Sequence, residues 1–512
     1  MGEVFYVTTP IYYVNDVPHI GTAYTTVVAD AIARYMRLKG RKVFFLTGTD
    51  EHGQMVAQAA AEKNVSPQEW ADRMVGEFVE TWKMLNISND DFIRTTQNRH
   101  TQVAQRFIEK LNQKGDVYLG TYEGWYCIHD ETFLLSSQLA DGACPECHRP
   151  VEWVKEENYF FKLSKYANAV LKHIEENPEF VQPESRRNEV ISFIKSGLSD
   201  QSISRTSFTW GIPLPFDARH VMYVWFDALL NYISAIDYEK DEERFNLIWP
   251  ADWHLVGKEI LRFHAIVWPA MLMAAELPLP KRIFAHGWLT VEGEKMSKSL
   301  GNVIRPKELV DEYGVDAYRY YFLREFSFGQ DGNFSRRTMR RRFNDELAND
   351  LGNLASRVLA MVNRYRDGIV PESGSPTGEE NRLAEESGNL VQKVDDCLSN
   401  LEFNNALSNI WEFVHSLNRY VDVSAPWSLS KDKSKSRELD RILYSSLEGI
   451  RIVALLIYPF MPETAEKIWK YLGLEEPITS VKMPDPAKWG LLPAGIHIEH
   501  GEPLFPRIVE GV

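Results

Sequence analysis

Thr8-Thr9-Pro10-Ile11-Tyr12-Tyr13-Val14-Asn15-Asp16-Val17-Pro18-His19-Ile20-Gly21-Thr22 is the stretch that decides the fold. A short apolar run, Val4-Phe5-Tyr6-Val7, precedes it. A helical pattern of Ala23, Val27, Ala31, Ile32, Tyr35 and Met36 follows and closes at Lys39-Gly40. The stretch therefore marks a strand-to-helix transition. Free N–H groups and the positive end of the helix dipole collect at such a point, and anions bind there. His19 and Thr22, three residues apart, can face one ligand from the first turn. Gly21 removes a side chain where a nucleotide would come close. Alone, a His and a Gly at a helix start are more often structural than catalytic, so the motif needs a partner elsewhere.

Working outward, Val43-Phe44-Phe45-Leu46 is a second buried-strand candidate. It runs into the polar loop Thr47-Gly48-Thr49-Asp50-Glu51-His52-Gly53. Helical patterns follow at 54–63, 67–85 and 99–113. Strands alternating with helices predict an α/β, Rossmann-like parallel sheet with ligands at the carboxyl ends of its strands. Both the His19 motif and the Asp50 loop fall at such ends. Residues 119–215 change character, with dense aromatics and three cysteines, and read as a connective insertion that splits the sheet domain. The strand pattern returns at 221–224, 253–256 and 283–286, with a helix at 259–274. Lys295-Met296-Ser297-Lys298-Ser299 then lies on a loop flanked by Gly293 and Gly301. From about 335 the pattern is helical, with Met339, Phe343, Leu347, Leu351, Leu354, Val358 and Met361 at spacings of three and four. The expected division is 1–118 and 216–290 for the two sheet halves, 119–215 for the insertion and 291–350 for the lysine loop and stem-contact region. An all-α bundle at 351–475 and a tail at 476–512 packing back on the protein complete it.

The 512 residues carry 57 basic and 72 acidic side chains, a net charge of −15. That excludes a general nucleic-acid binder, not a local basic face for one RNA. No apolar run approaches the ~20 residues of a membrane span. The N-terminus enters a strand at once, without a signal or Arg-rich presequence, so a cytoplasmic protein is expected. Four cysteines do not make a disulfide scaffold; three of them, Cys127, Cys144 and Cys147, pose a metal-site question.

Lys295 and Lys298 bring mobile ammonium groups, suited to phosphates whose charge builds up during a reaction. Joined to Pro18-His19-Ile20-Gly21 in a parallel α/β domain, they point to a nucleotide site. The pair resembles the two signatures of the class I aminoacyl-tRNA synthetases. Thr9–Asn15, Thr47–Gly53, Tyr223–Ala228, Arg262-Phe263-His264, Asn353–Arg357, Asn418–Val421 and Pro426-Trp427 resemble, more specifically, the methionyl-tRNA synthetase family, in order from residue 4 to about 470.

The resemblance implies that methionine attacks the α-phosphate of ATP, giving methionyl-adenylate and pyrophosphate, and that the acyl group then passes to the 3′-terminal adenosine of tRNA(Met). It implies ATP with Mg2+ as cofactors. It places His19, Gly21, Thr22, Gly257, Glu259, Lys295 and Lys298 at ATP. His19 and Thr22 donate to phosphate oxygens, and the lysines stabilise the leaving pyrophosphate. It places Asp50 on the substrate ammonium, and Ile11, Tyr13, Trp225, Ala228, Leu229, Tyr232, Ile260, His264 and Trp268 around the thioether. Sulfur favours aromatic edges and accepts hydrogen bonds weakly, with the Tyr232 hydroxyl and the Ile11 N–H as candidate donors. For Ile260, His264 and Trp268 a plain core position is the alternative. Asn353, Arg357 and Trp427 are expected to meet the anticodon, Trp427 by stacking; its alternative is a buried bundle tryptophan. The run Arg336–Arg342 is either a solvated face or a phosphate contact.

Two departures from the family pattern stand out. Thr22 replaces a second His, and the Gly-Lys-Asp of the family is Gly257-Lys258-Glu259 here. Cys127, Asp130, Cys144 and Cys147 form a candidate structural Zn2+ knuckle, with His129 or His148 as substitutes for Asp130. The competing readings are a sister synthetase for Leu, Ile or Val, a small-molecule nucleotidyltransferase, and an inactive tRNA-binding paralogue. The insertion is too short for the first, the helical domain superfluous for the second, and Thr22 and Glu259 motivate the third. A monomer is expected.

Overall fold

The computed structural model describes residues 4–508 except 130, 135, 137, 138, 146, 297–300 and 500. The chain divides into two compact units, Met1–Ala29 with Lys42–Trp288, and Asp30–Arg41 with Leu289–Val512.

The first unit is built on a six-stranded parallel sheet. Its strands are β1 (Val4–Tyr13), β2 (Lys42–Asp50) and β3 (Asp91–Arg94), together with Val181–Gln182, Trp253–Gly257 and Ile283–His286. The spatial order is β3, β2, β1, 253–257, 283–286, 181–182. The strands on either side of β1 come from the two halves of the sequence, so the β1 terminus lies at the point where strand order reverses, the position at which open α/β sheets take ligands. Helix α1 (Ile20–Leu38) follows β1 and is buried along nearly its whole length; its apolar and small residues are interrupted by the buried charges of Asp30 and Arg34, which pair at 2.7 Å. Helix α2 (Gln54–Glu62) follows β2.

The insertion contributes a separate four-stranded sheet of Thr132–Leu134, Val117–Cys127, Glu152–Phe161 and Gln201–Ser202. Asp217–Met222 pairs antiparallel with Ser204–Arg205 and Pro213–Leu214, outside the parallel sheet. The run expected as a strand at 221–224 is therefore cut at Met222, and Val224 opens the helix Val224–Leu229. A short apolar run cannot say which sheet it joins. The helix expected at 259–274 is realised as three joined pieces, a 3-10 turn, a π turn over Phe263–Val267 and an α-helix Trp268–Ala275.

The second unit holds a small sheet of Leu289–Val291, Glu294–Lys295 and Gly332–Phe334 and a helical bundle. One continuous helix runs from Arg336 to Arg366 with a π stretch at Phe343–Gly352. Met339, Phe343, Leu347 and Leu351, four apart, are all buried along it. A strict spacing of four drifts around a 3.6-residue turn but keeps to one face where the turn is wider. Gly378–Ser399, Phe403–Ser424, Ser436–Ile457 and Pro462–Tyr471 complete the bundle. Arg319, fully buried, pairs with Asp30 at 2.6 Å. No helix among the described residues is long and apolar enough to cross a membrane.

Candidate active site

Tyr13 and Asp50 close the parallel β1–β2 pair as direct partners. The Tyr13 hydroxyl and Asp50 Oδ1 are both buried and neither has a hydrogen-bond partner. Leaving a buried polar group unpaired costs about 1–3 kcal/mol, more for a charged one. Burial, then the charges of Asp227 and Glu131, push the Asp50 carboxyl well above its usual range. A cation placed here would relieve both penalties, which is what marks the position as a ligand site.

Aromatic and apolar side chains surround it. Trp225 meets Tyr13 edge-on at 6.2 Å and stacks on Phe263 at 4.2 Å between centroids. Ala228 and Leu229, on the same short helix as Trp225, are buried. Ile11 and Ile260 are half-buried and pack on the main core. Burial lowers the His264 pKa to about 4, so its ring is neutral at pH 7. Nδ1 faces the Ile260 carbonyl at 3.0 Å and must carry the proton. Nε2 is then a bare acceptor, and the Tyr232 hydroxyl donates to it at 2.7 Å. The Tyr232 proton expected for a ligand sulfur is thus engaged by His264, while the hydroxyl's lone pairs are left for an incoming donor. Trp268 is fully buried behind Tyr232 and donates to His254 Nε2 at 3.3 Å, the core position weighed as its alternative.

His19 caps α1. Its carbonyl accepts from Ala23 N–H at 3.0 Å, and its Nδ1 accepts from Gly21 N–H at 3.0 Å. Burial lowers the His19 pKa, opposed by the charges of Asp16 and Glu259. With Nδ1 accepting, the neutral ring carries its proton on Nε2, and Nε2–H is a donor of fixed orientation at the dipole's positive end. Thr22 acts on His19 instead of on open space. Its hydroxyl donates to the His19 carbonyl at 2.8 Å and accepts from the His19 N–H at 3.1 Å. The donor role expected for Thr22 at phosphate is therefore revised: in this structure its proton is taken by the main chain.

Glu259 Oε2 accepts from Trp288 Nε1 at 2.8 Å, and Lys258 Nζ lies 4.1 Å from the Trp288 ring centroid. Its charge acts on His19 and on His286. Gly257 is pressed against it: a Cβ there would stand 2.2 Å from Glu259 Oε1.

In the second unit Lys295 is exposed and pairs across strands with Thr290, and the Asn302 amide donates to its carbonyl at 3.2 Å. Lys298 lies outside the described residues. Asn353 is exposed at the start of its helix segment. Arg357 binds Asp422 at 2.7 Å, with its Cζ 6.0 Å from the Trp427 ring centroid. Trp427 is 41% exposed, so it is not the buried bundle tryptophan of the alternative reading. Of the arginine run, Arg336 and Arg340 pair with Glu312, and Arg342 with Glu346.

Cys127, Cys144 and Cys147 bring their sulfurs within 4.8 Å of one another, the first two buried. Cys127 and Cys147 Sγ stand 3.5 Å apart, far too long for a disulfide. Thiolates around a zinc at Zn–S about 2.3 Å stand about 3.8 Å apart, so the trio fits one metal ion. Asp130 lies outside the described residues.

The family model for class I tRNA synthetases (M) matches residues 5–153 and 149–359, and that for the anticodon-binding domain of tRNA ligase matches 382–504. The chain is 53% identical to the methionine–tRNA ligase of Caldanaerobacter subterraneus subsp. tengcongensis, over 99% of this chain and 79% of that protein. It is 50% identical to that of Thermotoga maritima, over 98% and 80%. The chain belongs to the methionine–tRNA ligase family. Among solved structures, Mycobacterium tuberculosis methionyl-tRNA synthetase in complex with methionyl-adenylate superposes with a TM-score of 0.94 at 44% identity, covering 99% of this chain and 100% of that one.

Within this family frame, several residues beside the site were given no role from the sequence, although Asp227, His52 and Phe263 lie inside the motifs quoted above. Asp227 is fully buried between His52 Nδ1 at 2.7 Å and His100 Nε2 at 2.6 Å, and so ties the Trp225 helix to the Asp50 loop. Burial would raise its pKa, but His52 and His100 outweigh burial and hold it at about 2. His286, at the carboxyl end of its strand, binds the Thr25 hydroxyl at 2.7 Å. Phe263, Trp288 and Glu131 are likewise contacts that only the folded chain reveals. The sequence signals for them are the motifs that contain Asp227, His52 and Phe263, and, for His286 and His52, a place at or just past predicted strand ends.

Proposed function

We propose that the chain ligates methionine to tRNA(Met) in two steps, methionine and ATP giving methionyl-adenylate and pyrophosphate, then acyl transfer to the 3′ end of the tRNA. The observation that carries the amino-acid assignment is Asp50, a buried carboxyl group with an unpaired acceptor beside Tyr13, which a ligand ammonium would both neutralise and hydrogen-bond. In this reading Asp50 binds the substrate ammonium, and Trp225, Ala228, Leu229, Ile11, Tyr13, Tyr232 and Ile260 enclose the thioether. His264 fixes the direction of the Tyr232 hydroxyl, and Trp268 backs it.

Adenylation needs no protein nucleophile; it needs position and charge. His19 offers Nε2–H to phosphate oxygens as negative charge moves onto them. Thr22 holds the His19 main chain so that this donor keeps its aim. Glu259 is assigned to the ATP ribose and Gly21 to close approach of the nucleotide. Lys295 and Lys298 are assigned to the pyrophosphate by family resemblance. Mg2+ bound with ATP would neutralise phosphate charge. Zn2+ would be held by Cys127, Cys144 and Cys147, with Asp130 as the assigned fourth ligand. Its role would be structural, since a closed tetrahedral site leaves no position for chemistry. Asn353, Arg357 and Trp427 are assigned to the anticodon. The reading takes the protein as a cytoplasmic monomer.

The test is methionine-dependent exchange of pyrophosphate into ATP. The expected result is exchange with methionine, falling roughly 100- to 1000-fold in His19→Gln through loss of one transition-state donor. Absence of exchange with any amino acid would replace this reading by the inactive tRNA-binding paralogue.

A further inference from the structure

Glu131 belongs to the insertion, yet it is fully buried against the amino-acid site. Helix α2 starts at Gln54 after Gly53, which has no side chain to cap it. Glu131 Oε1 supplies the cap from 76 residues downstream, accepting from Met55 N–H at 2.8 Å. Gly53 is required here twice over. Its φ is 101°, and a Cβ would stand 2.4 Å from Glu131 Oε2. The Gly53 to Met55 turn is the immediate continuation of the loop that carries Asp50. The main chain of Glu131 is tied to the other wall. Its carbonyl accepts from the Tyr223 hydroxyl, and Tyr223 is the residue before the helix Val224–Leu229 with Trp225 and Ala228. Glu131 itself sits in the left-handed region, φ 44°, a conformation a non-glycine residue keeps only where its surroundings hold it. Its second oxygen, Oε2, is buried and has no partner, as are Asp50 Oδ1 and the Tyr13 hydroxyl.

One insertion residue therefore grips the two segments that bring Asp50 and Trp225 together. We propose that Glu131 is a positioning residue for the amino-acid pocket, fixing the distance between the Asp50 loop and the Trp225 helix. The strand that ends at Cys127 and the turn after it deliver this residue, so the insertion acts on amino-acid binding through it. The inference rests on the assignment of methionine to this pocket.

The test is steady-state pyrophosphate exchange by the full chain, with methionine and ATP varied separately, in wild type, Glu131→Ala and Glu131→Gln. Mispositioning of about an ångström costs up to 100-fold in a preorganised site; Glu131→Ala is expected to raise the KM for methionine about tenfold and to leave the KM for ATP and kcat within about twofold. Glu131→Gln, which keeps an acceptor for the Met55 N–H, is expected to fall between. Equilibrium titration with methionine, followed by tryptophan fluorescence, should move in step. An unchanged methionine KM in both variants would overturn the proposal, as would parallel loss of both KM values and kcat, the pattern of a merely structural residue. If Glu131→Ala fails to fold, Glu131→Gln decides by the same criterion. A wild-type chain without methionine-dependent exchange would overturn this proposal and the functional reading together. A wild type with normal exchange beside unchanged variants overturns this proposal alone.

Discussion

Tyr13 and Asp50 face each other across β1 and β2 as register partners, and each ends in a buried oxygen with nothing bonded to it. Two unsatisfied groups side by side at the carboxyl ends of paired parallel strands are a site prepared for a ligand at a cost in stability.

Asp50→Asn follows directly. Hydrogen bonds to charged groups are worth about 1.5–3 kcal/mol, so methionine affinity should fall roughly 10- to 150-fold, with the KM for ATP unchanged. The ligand-free variant should also be more stable than wild type. The folded-state pKa of Asp50 is raised. Below the unfolded value both states hold the proton and no difference arises. As pH rises past it, the unfolded chain releases the proton and the folded chain resists, so wild type loses stability that the variant keeps. Thermal melts at pH 4 and pH 7.5 check this: a stabilisation absent at low pH and present at neutral pH is expected.

Thr22→Val should raise the KM for ATP several-fold, the worth of about 0.5–1.5 kcal/mol for a neutral hydrogen bond, because the variant frees the His19 main chain. Thr22→Ser, which restores both bonds, should restore the KM. ATP titrations at saturating methionine measure both.

Trp427→Ala should leave methionine-dependent exchange intact and lower tRNA charging, since loss of one stacked base costs about 1–3 kcal/mol. Charging equal to wild type would remove Trp427 from the anticodon site.

For the cysteine trio, the purified chain is expected to release about one zinc on thiol modification, read with a metal-sensitive dye. Cys144→Ser should lose the metal and lower the melting temperature. Asp130→Asn should weaken retention if Asp130 is the fourth ligand, and leave it unchanged if a histidine fills the place.

In the second unit Glu448 is fully buried, pairs with Arg451 at 2.6 Å, and accepts from the N–H groups of Gly490, Leu491 and Leu492 at 2.7, 3.1 and 3.0 Å. Glu448→Ala strands a buried arginine and three N–H groups and should cost about 3–5 kcal/mol in urea unfolding. This clamp is one of the contacts that hold the tail, which the sequence led one to expect would pack back on the protein.

The strands at β1, β2, 253–257 and 283–286 were legible because fully buried parallel strands are short apolar runs ended by turns. The helical character of the chain from about 335 onward was legible from spacings of three and four. The run at 221–224 was not, because apolar character reports burial and not the partner strand. Of the residues named from motifs, His19 lies just before a helix start, Asp50 ends a strand and Glu259 follows one.

What the sequence determined by itself was the α/β frame, the family and the residues worth naming, because periodicity and motif spacing are properties of neighbours along the chain. What only the tertiary structure decided was where each polar hydrogen goes. Thr22 turns its hydroxyl onto His19, Tyr232 gives its proton to His264, and Glu131 caps a helix 76 residues away. A hydrogen bond depends on distances of a few tenths of an ångström between atoms that the sequence separates by anything from three residues to hundreds. Only the packed core sets those distances.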